Sequence, residues 1–375
     1  MTTQNSPAAA GHSLDTNANL FSPLTLRSIT FRNRIGVSPM CQYYSVDGFA
    51  DDWHLVHLGS RAVGGAALVV AEATGVEARG RITPDDLGIY YDEHVAKLKQ
   101  ITSFISRFGA VPGIQIAHAG RKASTKNPWK DGNRHQKLAV EDSEGGWEVV
   151  GPTNVPFSPH SRIPRALTKE EIKDIVKKFG AAARRALEAE FKLLEVHAAH
   201  GYLLHSFYSP LSNTRTDEYG GSFENRIRFV LEVVEEVRAI WPQELPLSVR
   251  ISATDWVEGG WNADDSVALA KELKIRGVDI VDCSSGNIRA GDKIPFAPGY
   301  QVPLSAAVRN GAQIPTAAVG MITEAAQANE IIRSGSADMV LLAREEMRDP
   351  YWPYHAAKSL GIEAQTLPRN YSYAL

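Results

Sequence analysis

The chain has 375 residues, 43% of them hydrophobic and 22% charged, which is enough apolar side chain for a large core. Forty Lys and Arg against 43 Asp and Glu leave a formal charge of −3, so no basic field recruits nucleic acid or an anionic membrane. The longest apolar stretches, such as AALVVA at 66–71, fall far short of the roughly 18 residues a membrane span needs, and two cysteines, Cys41 and Cys283, are too few for an iron–sulfur cluster or a disulfide scaffold.

Residues 1–19 are polar and without hydrophobic period, and read as a flexible tail. They lack the basic and apolar regions of a secretory signal, so a cytoplasmic protein is expected. From residue 20 to 375 no linker interrupts the pattern, which predicts one domain. Eight short apolar runs follow in order, at 34–39, 66–73, 111–119, 191–199, 245–252, 278–285, 314–320 and 337–344. Each reads as continuous rather than alternating, as strands of a parallel sheet covered on both faces do. Helical patterns lie between them. The clearest starts at Thr168, which forms a capping box with Glu171 that Leu167 and Ile172 staple. Ile175, Val176, Phe179, Ala183 and Ala186 continue its buried stripe. Similar patterns begin at Ser222, Asp264 and Thr323, the last two ending on Gly277 and Gly335 as left-handed caps.

Eight strand–helix units predict an α/β fold, a (β/α)8 TIM barrel. Helix-to-strand links are short, whereas the strand-to-helix links at 74–91, 120–166 and 201–222 are long. Elaborated loops of that kind mark the catalytic face of a barrel. The segment 120–166, after strand 3, is too long for a plain connector and reads as a lid with its own hairpin or a mobile insertion.

The C-terminal ends of the eight runs carry Ser38, Pro39, Met40 and Cys41, then Glu72 and Ala73, Gln115 and His118, His197 and His200, Arg250, Ser284 to Gly286, Gly320, and Ala343 with Arg344. Polar and reactive side chains thus converge on one mouth. HAAHGY at 197–202 is the sharpest feature. As a metal pair His197 and His200 would need further ligands; as hydrogen-bond donors they would stabilise charge developing on a carbonyl or phenolate oxygen. Tyr202 adds a phenol, a weak acid suited to proton delivery. His54 and His57, three apart on a predicted helix, read as packing and capping residues. No G-x-G-x-x-G follows a strand and no P-loop is present, but barrels commonly bind one phosphate after strands 7 and 8, where Gly320, Ala343 and Arg344 lie. Six of the seven Trp, at 129, 147, 241, 256, 261 and 352, are scattered and form no stacking stripe for nucleic acid.

SPMCQYY at 38–44, QIAHAGRKA at 115–123, EVHAAHGYLLHSFYSPLSN at 195–213, RTDEYGGSFENR at 215–226 and the REEMRDP after strand 8 closely resemble the Old Yellow Enzyme family, within it the thermophilic-like ene-reductase or NADPH dehydrogenase branch. The resemblance runs from about Leu20 to Leu360. It implies bound FMN, NADPH as hydride donor, and activated alkenes such as α,β-unsaturated carbonyls as small-molecule substrates. Ser38, Pro39, Met40 and Cys41 would line the flavin, with Ala73 and Gln115 at its pyrimidine end and Arg250 near N1. Gly320, Ala343 and Arg344 would hold its phosphate. His197 and His200 would bind the substrate carbonyl, Tyr43 assisting, and Tyr202 would deliver the proton. Position 343 is Ala where the family has Gly. Tyr373 stands where the branch places an arginine reaching into a neighbouring subunit, and a homo-oligomer, dimer or tetramer, is expected. The residues leave two other classes open: a metal-dependent barrel hydrolase using HAAHGY as ligands, and a flavin-binding protein without catalysis.

Overall fold

The computed structural model describes residues 18–130, 138–363 and 367–374. Eight parallel strands close into a barrel in sequence order: β1 (Ile35–Val37), β2 (Leu68–Gly75), β3 (Val111–Ala117), β4 (Leu193–Ala198), β5 (Leu247–Ser252), β6 (Ile280–Ser284), β7 (Thr316–Ala318) and β8 (Met339–Leu342), with β8 pairing back to β1. Eight helices alternate with them on the outside: α1 (Asp52–Val63), α2 (Val95–Arg107), α3 (Lys169–Glu188), α4 (Phe223–Ile240), α5 (Ala263–Ile275), α6 (Val302–Ala312), α7 (Ala325–Arg333) and α8 (Trp352–Ser359). This is the barrel the strand–helix alternation predicts.

Local chemistry sets the helix starts. Thr168 Oγ1 accepts the Glu171 N–H at 3.2 Å while Glu171 Oε2 accepts the Thr168 N–H at 2.9 Å, a reciprocal box that fixes the start of α3. The stapling residues Leu167 and Ile172 are both buried. Asn262, two residues before the Asp264 at which the sequence pattern begins, caps α5 by accepting the N–H groups of Asp264 and Asp265. Gly277 and Gly335 take left-handed conformations after α5 and α7.

The strands are less uniformly apolar than expected. In β4, β5 and β6 one face, including Val196, Ala198, Val249, Ile251, Val281 and Cys283, packs under the helices with Phe179, Val233 and Leu273. The alternate residues, Glu195, His197, Ser248, Arg250, Asp282 and Ser284, turn into the barrel. That alternation places a polar layer below the catalytic mouth. In β2 the pairing with β3 slips between Ala71 and Ala73, a bulge that leaves Glu72 without a strand partner and re-aims its side chain.

The opposite end of the barrel is closed. An antiparallel hairpin, Leu24–Leu26 with Ile29–Phe31, packs Leu24, Leu26 and Phe31 in one cluster with Leu68, Leu193, Ile280 and Met339 at the strand starts. The barrel begins slightly earlier than the sequence reading places it. Ala18 and Leu20 are buried with Ile35, Val340 and Trp352, and the Asn19 and Ser22 side chains lock that entry. Residues 1–17, the rest of the expected tail, lie outside the described residues. The loop 120–166 is tied down where it is described: Arg121, Lys122, Ser124, Thr125, Asn127 and Val149 are buried. Among the described residues it contains an isolated antiparallel bridge, Thr125 with Ala139, and a two-residue parallel ladder, Val150–Gly151 with Arg165–Ala166, while 131–137 lie outside the described residues.

Candidate active site

The turn after β4 gathers three reactive side chains. His200 (φ 60°) and Gly201 (φ 72°) are successive left-handed residues, and a Cβ on Gly201 would strike the Asn287 carbonyl oxygen, so glycine is required there. The reversal brings the His197 and His200 rings to 5.2 Å between centroids and His197 and Tyr202 to 5.1 Å, all edge-on. Burial, reinforced by the Arg250 charge, drives both imidazoles well below their usual pKa, so both are neutral at pH 7. Burial raises the Tyr202 phenol well above 10. His197 Nδ1 is buried without a hydrogen-bond partner, and His200 Nε2 lies 2.6 Å from Ser284 Oγ. Lys122, from the long loop, donates to the His200 carbonyl and places its ammonium 4.8 Å from the Tyr202 ring centroid.

The end of β1 forms the facing wall. Ser38 is pinned by its N–H to the Leu342 carbonyl at 2.9 Å. Pro39 and Met40 follow, and Cys41 and Tyr43 pack with Tyr202 and Trp147 in one small cluster. Burial first, then the nearby Asp86 and Glu72, pushes the Cys41 thiol up, which keeps it protonated rather than a thiolate nucleophile. The bulged Glu72 supports this segment by accepting the Gln42 N–H at 3.1 Å. Its other oxygen is 3.9 Å from His54 Nε2, and His54 Nδ1 is 2.9 Å from Asp51 Oδ1 at the start of α1. Burial pushes the Glu72 carboxyl up to about 8 from 4.5 and the His57 imidazole down to about 3.

Glu72 therefore carries a testable pH dependence. Below pH 4.5 both folded and unfolded chains hold its proton; between 4.5 and about 8 only the folded chain does, so stability falls as pH rises through that window. Glu72→Gln keeps the acceptor for Gln42 and cannot ionise. Its melting temperature should gain on the wild type between pH 5 and 8 and run parallel above about 8.5; a constant gap across pH 5–9 would refute the buried protonated acid.

Inside the mouth, Gln115 Nε2 donates to Glu195 Oε1 at 2.9 Å and Ser248 Oγ to Glu195 Oε2 at 2.8 Å. Arg250 Nε lies 3.0 Å from Asp282 Oδ2, without the alignment of a hydrogen bond. Burial pushes the Glu195 and Asp282 carboxyls up and Arg250 pulls them partly back. Ala73 and Gln115 pair across β2 and β3, level with Glu195 on β4. Glu195 and Asp282 were not among the residues singled out in the sequence, although their period-two spacing with His197 and Ser284 marks them.

The ends of β7 and β8 open on a cavity of about 260 Å³ lined by Ser284, Tyr300, Gln301, Gly320, Ala343 and Arg344. Gly320 has φ 117°, and a Cβ there would lie 2.6 Å from Gln301 Nε2, so the backbone is left open to a ligand. Arg344 starts a short helix, Arg344–Arg348, and makes no ion pair among the described residues; Arg348, which the sequence reading passed over, also lines the cavity and pairs with Glu345. Ser284, 2.6 Å from His200 Nε2, also lines this cavity and so links its wall to the turn after β4. A cradle with a cationic end, a glycine-opened wall and an orphaned buried imidazole fits FMN. Tyr373 lies away from it and is fully exposed, while Tyr371 packs 6.3 Å from Tyr351. Among the described residues no group of three or more His, Cys, Asp or Glu is gathered to hold a metal, and no helix is long and apolar enough to cross a membrane.

Residues 19–363 match the model of the NADH:flavin oxidoreductase / NADH oxidase family. The chain is 48% identical over 344 residues to an NADPH dehydrogenase of Geobacillus sp. (strain WCH70), covering 91% of this chain and 94% of that one. Among solved structures it is similar to morphinone reductase, with a TM-score of 0.76 and 27% identity over 92% of this chain and 91% of that chain. A complex of 2-naphthoyl-CoA reductase with 2-naphthoyl-CoA gives a TM-score of 0.81 at 26% identity over 92% of this chain, which spans about half (52%) of that longer one.

Proposed function

Since the chain belongs to the NADH:flavin oxidoreductase / NADH oxidase family, the Old Yellow Enzymes, we propose that it reduces the C=C bond of α,β-unsaturated carbonyl compounds. It is an FMN-dependent oxidoreductase with NADPH as electron donor. The observation that carries the finer reading is the trio His197, His200 and Tyr202, two neutral imidazoles and a neutral phenol edge-on within 5.2 Å at the mouth. When bound, FMN would supply the hydride chemistry between NADPH and the β-carbon of the alkene.

The chain's residues do the rest. Ser38, Pro39, Met40, Cys41, Ala73, Gln115 and Arg250 would hold the ring system, Arg250 supplying positive charge. Gly320, Ala343 and Arg344 hold the phosphate. His197 and His200 donate to the carbonyl oxygen with Tyr43 alongside, drawing electron density from the β-carbon where negative charge would otherwise build. Tyr202 gives its Oη proton to the α-carbon. Neutral imidazoles suit this task, since a charged pair packed near Arg250 would cost far more in the buried mouth.

Purified protein should be yellow, bleach with NADPH in the absence of oxygen, and recover its colour on adding cyclohexenone, with cyclohexanone as product. Bleached protein that leaves the enone unreduced would refute the reaction. Arg344→Ala should release its flavin on dialysis, with affinity lowered roughly 10- to 100-fold for one lost charge-assisted contact to phosphate. Retention equal to wild type would place the phosphate elsewhere.

A further inference from the structure

The turn carrying His200 and Tyr202 has an unusual demand at Gly201. Two successive left-handed residues aim its backbone groups away from any strand ladder, and each needs a dedicated partner. Ser252 Oγ accepts the His200 N–H at 2.9 Å, and Lys122 takes the His200 carbonyl. The Tyr202 N–H reaches the Ala199 carbonyl at 3.2 Å. The Gly201 N–H, between the two reactive residues, is accepted by His205 Nδ1 at 2.7 Å.

That one bond decides the state of His205. A backbone N–H only donates, so Nδ1 carries the lone pair and the ring proton sits on Nε2. Nε2 lies 2.9 Å from Asp255 Oδ1, so it donates to that carboxylate. Asp255 Oδ2 accepts Ser209 Oγ–H at 2.7 Å and the Trp261 N–H at 2.8 Å, so every group facing Asp255 is a donor and the carboxylate is ionised. Both side chains are fully buried. Tyr208 packs 4.7 Å from the His205 ring, and the charges of Lys122 and Arg121, like burial itself, oppose a second proton on it.

We propose that the His205–Asp255 pair is a tautomer lock, a positioning unit that presents the Nδ1 lone pair to Gly201 and so fixes where the His200 ring and the Tyr202 hydroxyl stand over the substrate. The pair touches no substrate and acts only through the turn. It joins the loop after β4 to the loop after β5, so the two reactive residues are held from a neighbouring strand as well as their own. The inference rests on the roles given above to His200 and Tyr202.

Two substitutions separate the lock from simple core packing. Asn at 205 places its carbonyl oxygen near the position of Nδ1 and keeps the acceptor for Gly201, but falls short of Asp255. Gln places its amide nitrogen near the position of Nε2 and keeps the donor to Asp255, but leaves Gly201 without its acceptor. If the pair only filled and tied the core, His205→Gln, closer in size, would be the milder change by every measure. The lock reverses the order for catalysis: His205→Gln should be the more stable variant, yet its reoxidation by cyclohexenone should be slower than that of His205→Asn, by roughly 10- to 100-fold relative to wild type for a misplacement of this kind. Reduction by NADPH should be unchanged in both.

Amide hydrogen exchange supplies a readout independent of turnover. Gly201 should be strongly protected in wild type, remain protected in His205→Asn and exchange faster in His205→Gln. Rapid exchange at Gly201 in wild type, or enone turnover in His205→Gln equal to wild type, would overturn the lock, and the wild-type measurement decides even if a variant fails to fold. Should wild-type protein leave enones unreduced, the ene-reductase reading falls while the exchange order still decides the lock.

Discussion

His197→Ala is expected to slow reoxidation of the reduced enzyme by an enone about 10²- to 10³-fold, the usual cost of losing one donor to a developing oxyanion, while leaving reduction by NADPH near its wild-type rate. His197 is the last inward residue of β4, its Nδ1 is buried with no partner of its own, and its ring lies against both His200 and Tyr202. A buried imidazole nitrogen left unsatisfied costs stability unless a ligand completes it, which is why its loss should be felt when substrate is present. Stopped-flow separation of the two half-reactions measures this; equal slowing of both would mean that His197 orients the flavin instead. His197→Asn tests the charge state. The wild-type ring is neutral in the folded chain and gains a proton below pH 6.5 when unfolded, so it contributes stability that is lost as pH falls from about 6.5 toward its depressed folded value. The asparagine variant should lose less stability than wild type between pH 7 and 5.

The architecture was legible in the sequence because each barrel unit signals itself locally. All eight strands lie within two residues of the apolar runs at each boundary, and the Thr168–Glu171 box marks the start of α3 to the residue. The site's outline was legible for the same reason: a barrel puts strand ends at one mouth, so His197, Arg250, Gly320 and Arg344 could be placed by counting along the chain. What was not legible depends on neighbours. The inward layer of Glu195 and Asp282 disappears when LLEVHA and IVDCS are read as continuous apolar runs, because their partners across the barrel are not visible in a single strand. The bulge at Glu72 is a property of the pairing between β2 and β3 and has no signature in either alone. The loop 120–166 is organised by long-range ties, with Arg121 donating to the Ile288 carbonyl and Arg215 to the carbonyls of Pro152 and Leu167, and no local turn pattern announces them.

Tyr202→Phe should lower the rate of the enone step by about 10²-fold or more, within the range that positioned proton transfer contributes, with flavin content and reduction by NADPH intact. The substitution is clean. Phenylalanine fills the same volume, the ring's contacts with His197 and Lys122 remain, and no protein group loses a hydrogen-bond partner among the described residues. Burial holds the phenol protonated well past pH 10, so wild-type enone reduction should show no alkaline limb between pH 7 and 9.5. In deuterated solvent the wild-type product should carry deuterium at the α-carbon on one face only, because one fixed hydroxyl delivers it. With phenylalanine, solvent becomes the donor, so labelling persists while facial preference declines. Tyr43 is the competing donor: it packs in the same cluster and its phenol is also pushed up by burial. If Tyr43→Phe loses more rate and facial preference than Tyr202→Phe, the proton comes from the end of β1, and the turn after β4 serves only to bind the carbonyl.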